Sequence, residues 1–212
     1  MNWMNLRGSL LVILVAAVQV LAGSGPAAAQ QQSPFDRLIE RFRNGEIYRA
    51  EFTHEYADSY TKDTVVTKGT IWVGDNEYKV RNRQQVVVVD GGMSRVYDAG
   101  RNRVIVSKYE AAEDDFAPSR FLNGADSTYT VEEQTRRNGN THIVLTSSDP
   151  FSEFSVVEIT LDDQLVPLRI FALDQVDNRI TTTFRSGRFI PEREEMFVLE
   201  YPEKAEIIDM RN

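Results

Sequence analysis

The sequence predicts a mostly β protein, built as a long, curved antiparallel sheet with two short helices laid against it. Short apolar and aromatic runs recur between Gly, Asn and Asp punctuation, with a turn signal about every ten residues. Period-two alternation dominates, and helical spacing appears only in short stretches. Eleven Phe, eight Tyr and two Trp, 10% of the chain, leave a large apolar surface for short strands to cover.

The start of the chain has a different character. Residues 1–8 carry Arg7 as their only charge, residues 9–22 are an almost unbroken apolar run, and Ala27-Ala28-Ala29 offers a small-residue cleavage site. The run is too short to span a bilayer comfortably, so residues 1–29 are expected to be a cleaved secretory signal peptide. Residues 30–212 then suit a single domain. Losing Arg7 takes the net charge from −8 to −9. Such an acidic balance argues against nucleic acid or an anionic membrane surface as a partner. The chain has no cysteine. It therefore has no disulfide framework and no thiol to accept an N-terminal lipid anchor, so a product soluble outside the inner membrane and not tethered to it is expected.

Ser33-Pro34 supplies an N-cap and a first-turn proline, with Asp36 near the positive helix end. Phe35, Leu38, Ile39 and Phe42 follow at i, i+3, i+4 and i+7, one narrow apolar stripe. Asn44-Gly45 ends the helix. The prediction is a helix over Pro34–Arg43, lying across the open end of a sheet. Glu46–Ala57 alternates, with Tyr48, Ala50, Phe52, His54 and Tyr56 on the apolar face. His54 among aromatics reads as a hydrogen-bonded interior histidine.

Further strands are expected at Thr64–Val73, 77–83, 85–89, 95–97 and 103–109. The run Val86–Val89 is apolar on both faces and should be covered on both. Residues 110–117 interrupt the meander with Glu113, Asp114 and Asp115, read as a solvated acidic loop. Residues 118–122 predict one or two helical turns stopped by Asn123-Gly124, and Phe116, Phe121 and Leu122 form a second apolar knob. The meander resumes at 127–134, Thr141–Thr146, Phe154–Leu161, 165–173, 179–184 and 197–199, about eleven strands joined almost wholly by hairpins. His142, beside a turn, is expected to be exposed.

Little chemistry is visible. Two distant His and no Cys do not make a zinc site. Gly92-Met93-Ser94-Arg95 lacks the closing Gly of a nucleophile elbow. No phosphate loop or dinucleotide fingerprint is present. We therefore expect no catalytic residue, metal or cofactor. A curved sheet with helices at its mouth can instead enclose an apolar cavity. The natural cargo is an acyl chain, since hiding a roughly 16-carbon chain from water is favourable by some 12 kcal/mol.

Several segments, in order, resemble the periplasmic outer-membrane lipoprotein carrier family (LolA-like). They are Tyr48-x-Ala-x-Phe52-x-His54; Gly69-Thr70-Ile71-Trp72-Val73; Val89-Asp90-Gly91, Val96-Tyr97-Asp98 and Asn102-Arg103-Val104; Leu161-Asp162 and Leu173-Asp174; and the tail Phe197, Pro202, Ile207-Ile208-Asp209. The resemblance implies an incompletely closed antiparallel β-barrel with short helices as a lid over an apolar cavity. It implies a soluble carrier that receives acylated lipoproteins from an inner-membrane ATP-driven lipoprotein-releasing complex and passes them to an outer-membrane receptor, working as a monomer. The candidate cavity and lid residues are Phe35, Leu38, Ile39 and Phe42 on the helix, then Tyr48, Phe52, Trp72, Tyr78, Val87, Val89, Tyr97, Val104 and Val106 on strands. Phe116, Phe121 and Leu122 complete them. Many members of the family carry Arg-Pro after the Trp72 strand, the Arg helping to hold the lid closed, whereas this chain has Gly74-Asp75 there. The alternative function is a lipid- or lipoprotein-binding sensor of the same fold that does not shuttle.

Overall fold

Ser33 opens the α-helix α1 (Pro34–Arg43), its hydroxyl accepting the Asp36 N–H at 3.1 Å. The Asn44 N–H donates to the Glu40 carbonyl at 3.0 Å. Gly45 at φ 76° then turns the chain into β1 (Glu46–Ala57), a conformation that costs glycine little. The computed structural model describes residues 32–211 except Gly91, residues 111–113, Asp115 and Asp126, with only the backbone of Pro118 and Glu194. The expected signal peptide, Gly91 of the signature turn, and Glu113 and Asp115 of the acidic loop lie outside the described residues.

A first meander follows: β2 (Thr64–Val73), β3 (Glu77–Asn82), β4 (Gln85–Asp90), β5 (Met93–Asp98) and β6 (Arg103–Lys108). A crossing segment then carries a 3-10 turn at Ala117–Asn123. The second meander is β7 (Thr130–Thr135), β8 (Thr141–Thr146), β9 (Phe154–Leu161), β10 (Pro167–Asp174) and β11 (Arg179–Pro191). Another 3-10 turn, Glu194–Phe197, precedes β12 (Glu206–Asp209).

All twelve strands form one sheet in the order β12-β6-β5-β4-β3-β2-β1-β11-β10-β9-β8-β7. Strands β12 and β7 stand at its two edges, so the sheet stays open. The architecture is that of a barrel left unclosed, with one helix and two 3-10 turns among the described residues.

Three expectations are corrected. Residues 197–199 are not a strand: Phe197 ends a 3-10 turn, and Val198 accepts a hydrogen bond from Lys79 Nζ at 2.8 Å. The final strand is β12, which runs parallel to β6, so it is not a hairpin addition. The second predicted helix is a 3-10 turn.

The meanders meet where β1 pairs antiparallel with β11. The register places Phe52 opposite Phe184 and Tyr48 opposite Phe189, with a shift between Arg49 and Glu51. Ser186 and Gly187 face Ala50 there, and Ser186 takes φ 52°. The extra residue is a β-bulge and reverses the inside–outside alternation of β11, so Phe184 and Phe189 face the same side despite their odd spacing. Tyr48 is fully buried at this point. Its hydroxyl donates to the Pro167 carbonyl of β10 at 2.7 Å. Its ring lies 5.3 Å from Phe184 and 5.5 Å from Phe189.

Gly187 makes room for that ring, since a Cβ built there would sit 2.5 Å from the Tyr48 hydroxyl oxygen. Gly187→Ala should therefore push Tyr48 off Pro167 and lower the unfolding free energy by about 1–3 kcal/mol. Urea denaturation of the purified protein measures this, and an unchanged midpoint would show that the Tyr48 pocket is not tight.

Candidate binding face and its lid

The two faces of the sheet carry different clusters. The inner face bears Tyr48, Ala50 and Phe52 of β1, Ile71 and Val73 of β2, Tyr78 and Val80 of β3, and Val87 and Val89 of β4. The second meander adds Ile143, Val157, Ile159, Ile170 and Ala172. The outer face has a smaller cluster of Ile47, Val88 and Phe197, with Trp72, Ile190, Met196 and Leu199 packed against it. The Val86–Val89 run is thus covered on both sides, by the inner cluster and by the Glu194–Phe197 turn.

Two elements cover the inner face. Phe35, Leu38 and Phe42 of α1 are buried against it, with Ile39 partly buried. The crossing segment buries Phe116, Ala117 and Leu122, with Phe121 partly buried. Phe42 meets Phe189 edge to face at 5.4 Å, and Phe116 meets Phe52 at 5.3 Å. Phe121 packs on Tyr129 at 5.0 Å and Phe154 at 5.9 Å.

Most of the sequence-predicted residues therefore gather in one apolar cluster, but Trp72, Tyr97, Val104 and Val106 do not. Residues opposite one another in an antiparallel pair share a face. Trp72 is opposite Lys79, and Lys79 opposite Val88. Arg95 is opposite Val88 and Val106, and Tyr97 opposite Val86 and Val104. Val88 belongs to the outer cluster, so all four look outward. Val104 and Val106 help floor an outer cleft of about 570 Å³ with Phe197, Leu199 and Ile207, rimmed by Glu77, Asp90, Arg95 and Arg211.

The inner space is largely occupied by lid side chains. Clefts remain at its sides. One of about 250 Å³ is lined by Tyr78, Val87, Val96, Tyr109, Asp114 and Phe116. Another of about 380 Å³ lies by Tyr56, Glu153, Phe154 and Ile180.

Polar contacts hold the lid down. Asn123 Nδ2 donates to the carbonyls of Gly74 at 2.8 Å and Asp75 at 2.6 Å. The turn where the sequence lacks Arg-Pro is thus bound to the lid through a neutral amide. Asp114 accepts hydrogen bonds from the Tyr78 hydroxyl, from the Tyr109 hydroxyl at 2.9 Å and from the Phe116 N–H at 3.0 Å. Burial, and next the Asp114 charge, raise both phenols above their ordinary range. At the far end of α1, the Phe35 N–H donates to Glu133 Oε2 of β7 at 3.0 Å. Arg41 donates to Glu46 at 2.7 Å and lies 3.7 Å over the Phe189 ring.

Sequence reasoning missed most of these. Asp114 is half-buried and hydrogen-bonded rather than solvated. Asn123 read only as a helix stop. His142 is half-buried rather than exposed, 3.4 Å from Thr160 Oγ1. His54 does sit inside, with Nδ1 2.9 Å from Thr182 Oγ1 and its ring 4.7 Å from Phe116. Desolvation pushes its pKa down to about 4, so the imidazole is neutral at pH 7. Among the described residues, no group of three or more His, Asp or Glu is placed to hold a metal ion.

Fold and face together define an open-sheet protein with an apolar inner surface closed by a helical lid. No family model and no curated protein matches this chain. It is similar to an uncharacterized conserved protein from Thermus thermophilus, with TM-score 0.51 and 13% identity, over 82% of this chain and 97% of that one. Other similar structures are a LolA superfamily protein from Nitrosomonas europaea (TM-score 0.44, 8% identity, 79% and 99% covered) and a DUF1329 family protein from Desulfovibrio piger (TM-score 0.41, 10% identity, 78% and 95% covered).

Asn123→Ala should remove both bonds to the Gly74-Asp75 turn at a cost of about 1–2 kcal/mol. Hydrogen exchange of peptides covering 117–123 should speed up by about an order of magnitude. Unchanged exchange would mean that apolar packing alone sets lid closure.

Glu153 tests the lid in another way. Burial, and next the Asp114 charge, raise its pKa from the ordinary 4.5 to about 7. The folded state therefore holds this proton more tightly than the unfolded state. Stability rises as pH falls from 7 to 4.5 and is reduced once Glu153 ionises. Glu153→Gln should be more stable than the parent by about 1–2 kcal/mol at pH 8, allowing for solvent screening. The difference should vanish at pH 4. Thermal melts at both pH values measure it, and a difference independent of pH would exclude the ionisation.

Proposed function

We propose that this protein is a soluble periplasmic carrier that takes the acyl chains of lipoproteins onto its inner face and ferries them from the inner to the outer membrane. The observation that carries the reading is the division of one apolar cluster between a sheet and a lid. Lifting α1 and the Ala117–Asn123 turn uncovers Tyr48, Phe52, Tyr78, Val87 and Val89 together, and an acyl chain can replace the buried contacts of Phe35, Leu38, Phe42, Phe116 and Leu122. The ordered sequence resemblance to lipoprotein carriers supports the same reading. It supplies the partners: an inner-membrane ATP-driven releasing complex and an outer-membrane receptor, with the carrier monomeric and delivered by a cleaved signal peptide. No helix among the described residues is long and apolar enough to cross a membrane.

The opposite-face cleft, with Val104, Val106, Phe197 and Ile207, favours a second reading, a binding module that docks a partner without shuttling. Depletion separates the two, because only loss of a carrier misplaces lipoproteins.

Photo-crosslinking amino acids placed at Phe52 and Val87 should capture acylated lipoproteins in cells, and the same probe at outward-facing Val104 should capture several-fold less. Equal capture at the three positions, or none at Phe52 and Val87, would end the carrier reading.

A further inference from the structure

The inner face is not wholly apolar. Thr67, His54 and Thr182 lie directly opposite one another on β2, β1 and β11, a polar band crossing the floor. His54 and Thr182 are buried, at 3% and 1% exposure. Thr182 meets His54 Nδ1, while His54 Nε2 is buried without a hydrogen-bond partner. The Phe116 ring of the lid lies against the imidazole. The Ser119 hydroxyl, in the lid turn, is likewise buried without a partner. Closing the lid thus leaves polar capacity unused on both floor and cover, where buried polar groups are normally paired.

We propose that His54 Nε2 is a specificity-determining contact, donating a hydrogen bond to the carbonyl oxygen at the head of a bound acyl chain once Phe116 lifts away. The inference rests on the carrier reading. A neutral imidazole carries one ring proton, and in the tautomer where the Thr182 hydroxyl donates to Nδ1 that proton sits on Nε2. Hydrocarbon alone cannot satisfy that N–H. A charged acceptor would bring an uncompensated charge into a desolvated site. An ester or amide carbonyl is a neutral acceptor that arrives attached to the chain the face would bury. It would fix the depth of the cargo along the sheet, with the alkyl chain running over the Phe52 and Val87 region.

The test uses the purified full-length mature protein and three fluorescent probes sharing one 16-carbon chain, headed by an ester, an amide or an ether. The parent should bind the ester, the amide or both about tenfold more tightly than the ether, the value of one good hydrogen bond. Whichever carbonyl probe shows the preference identifies the linkage read. His54→Phe should erase the preference, the carbonyl-to-ether affinity ratio falling to about one, and His54→Gln, which restores an N–H donor, should recover part of it. Circular dichroism melts confirm that each variant folds. Equal binding of all three probes by the parent, or a preference that survives in His54→Phe, overturns the His54 assignment and leaves the carrier reading standing. Failure of all three probes to bind overturns both.

Discussion

The pairing of β1 with β11 is the contact on which the rest of the structure depends. Each meander is local, built from hairpins that close short loops, and either could form from neighbouring sequence. Only β1, near the start of the described chain, joins them, and it must find a partner near the other end. Long-range pairing of this kind is costly in chain entropy and is rewarded only if it buries much. Here it stacks Phe52 against the β11 position of Phe184 and seats Tyr48 between Phe184 and Phe189, with its hydroxyl satisfied by Pro167 one strand further on. One tyrosine thus ties β1, β11 and β10, and the glycine beneath it is part of the same contact.

Joining the meanders creates a continuous apolar surface, which sets the next requirement. An open sheet whose inner face carries Phe52, Val87 and Ile159 must be covered by something. The cover is made of two short elements instead of a second sheet. Such elements bury modest area and depend on point contacts, namely the Asn123 amide, the Asp114 carboxylate and Glu133 at the first turn of α1. Asp114 and Glu133 work through acceptance of N–H and O–H groups, and Asn123 through donation to two main-chain carbonyls. The lid is therefore anchored at its ends while its middle is held by side-chain packing.

Much of this was legible in the sequence, in a pattern with physical causes. Helix α1 and strands β1, β2, β8 and β9 have the bounds their caps and alternation predict, because each is specified by its own residues. The alternation that predicts β11 ends at Phe184, the bulge at Ser186-Gly187 interrupts it there, and the continuation to Pro191 is imposed by β1. The short apolar run at 197–199 has strand composition but packs against the outer face of the sheet, where Phe197 covers Val88. The outward placement of Trp72, Tyr97, Val104 and Val106 is a question of parity: one residue of register reverses a strand's faces. The lid contacts of Asn123, Asp114 and Glu133 join residues far apart in the chain and leave no local signature. The apolar stripe of α1 predicts a helix laid against the sheet, and the polar contacts that fasten its cover appear only in three dimensions.

The Gly74-Asp75 turn is fastened through the Asn123 amide and not through an arginine at that place. An arginine at that place would hold the lid through charge and would respond to ionic strength. An asparagine amide bonded to two carbonyls is neutral, so this fastening is insensitive to salt and pH. It is also modest, about 1 kcal/mol for each bond exchanged with water. A 16-carbon chain brings a burial free energy of order 12 kcal/mol. A cargo of that kind exceeds the fastening by a wide margin, and the lid packing it displaces must account for most of the opposing cost. Affinity would then be governed by how well Phe35, Leu38, Phe42 and Phe116 repack around the chain. On the carrier reading, the polar latch would set how often the empty protein opens.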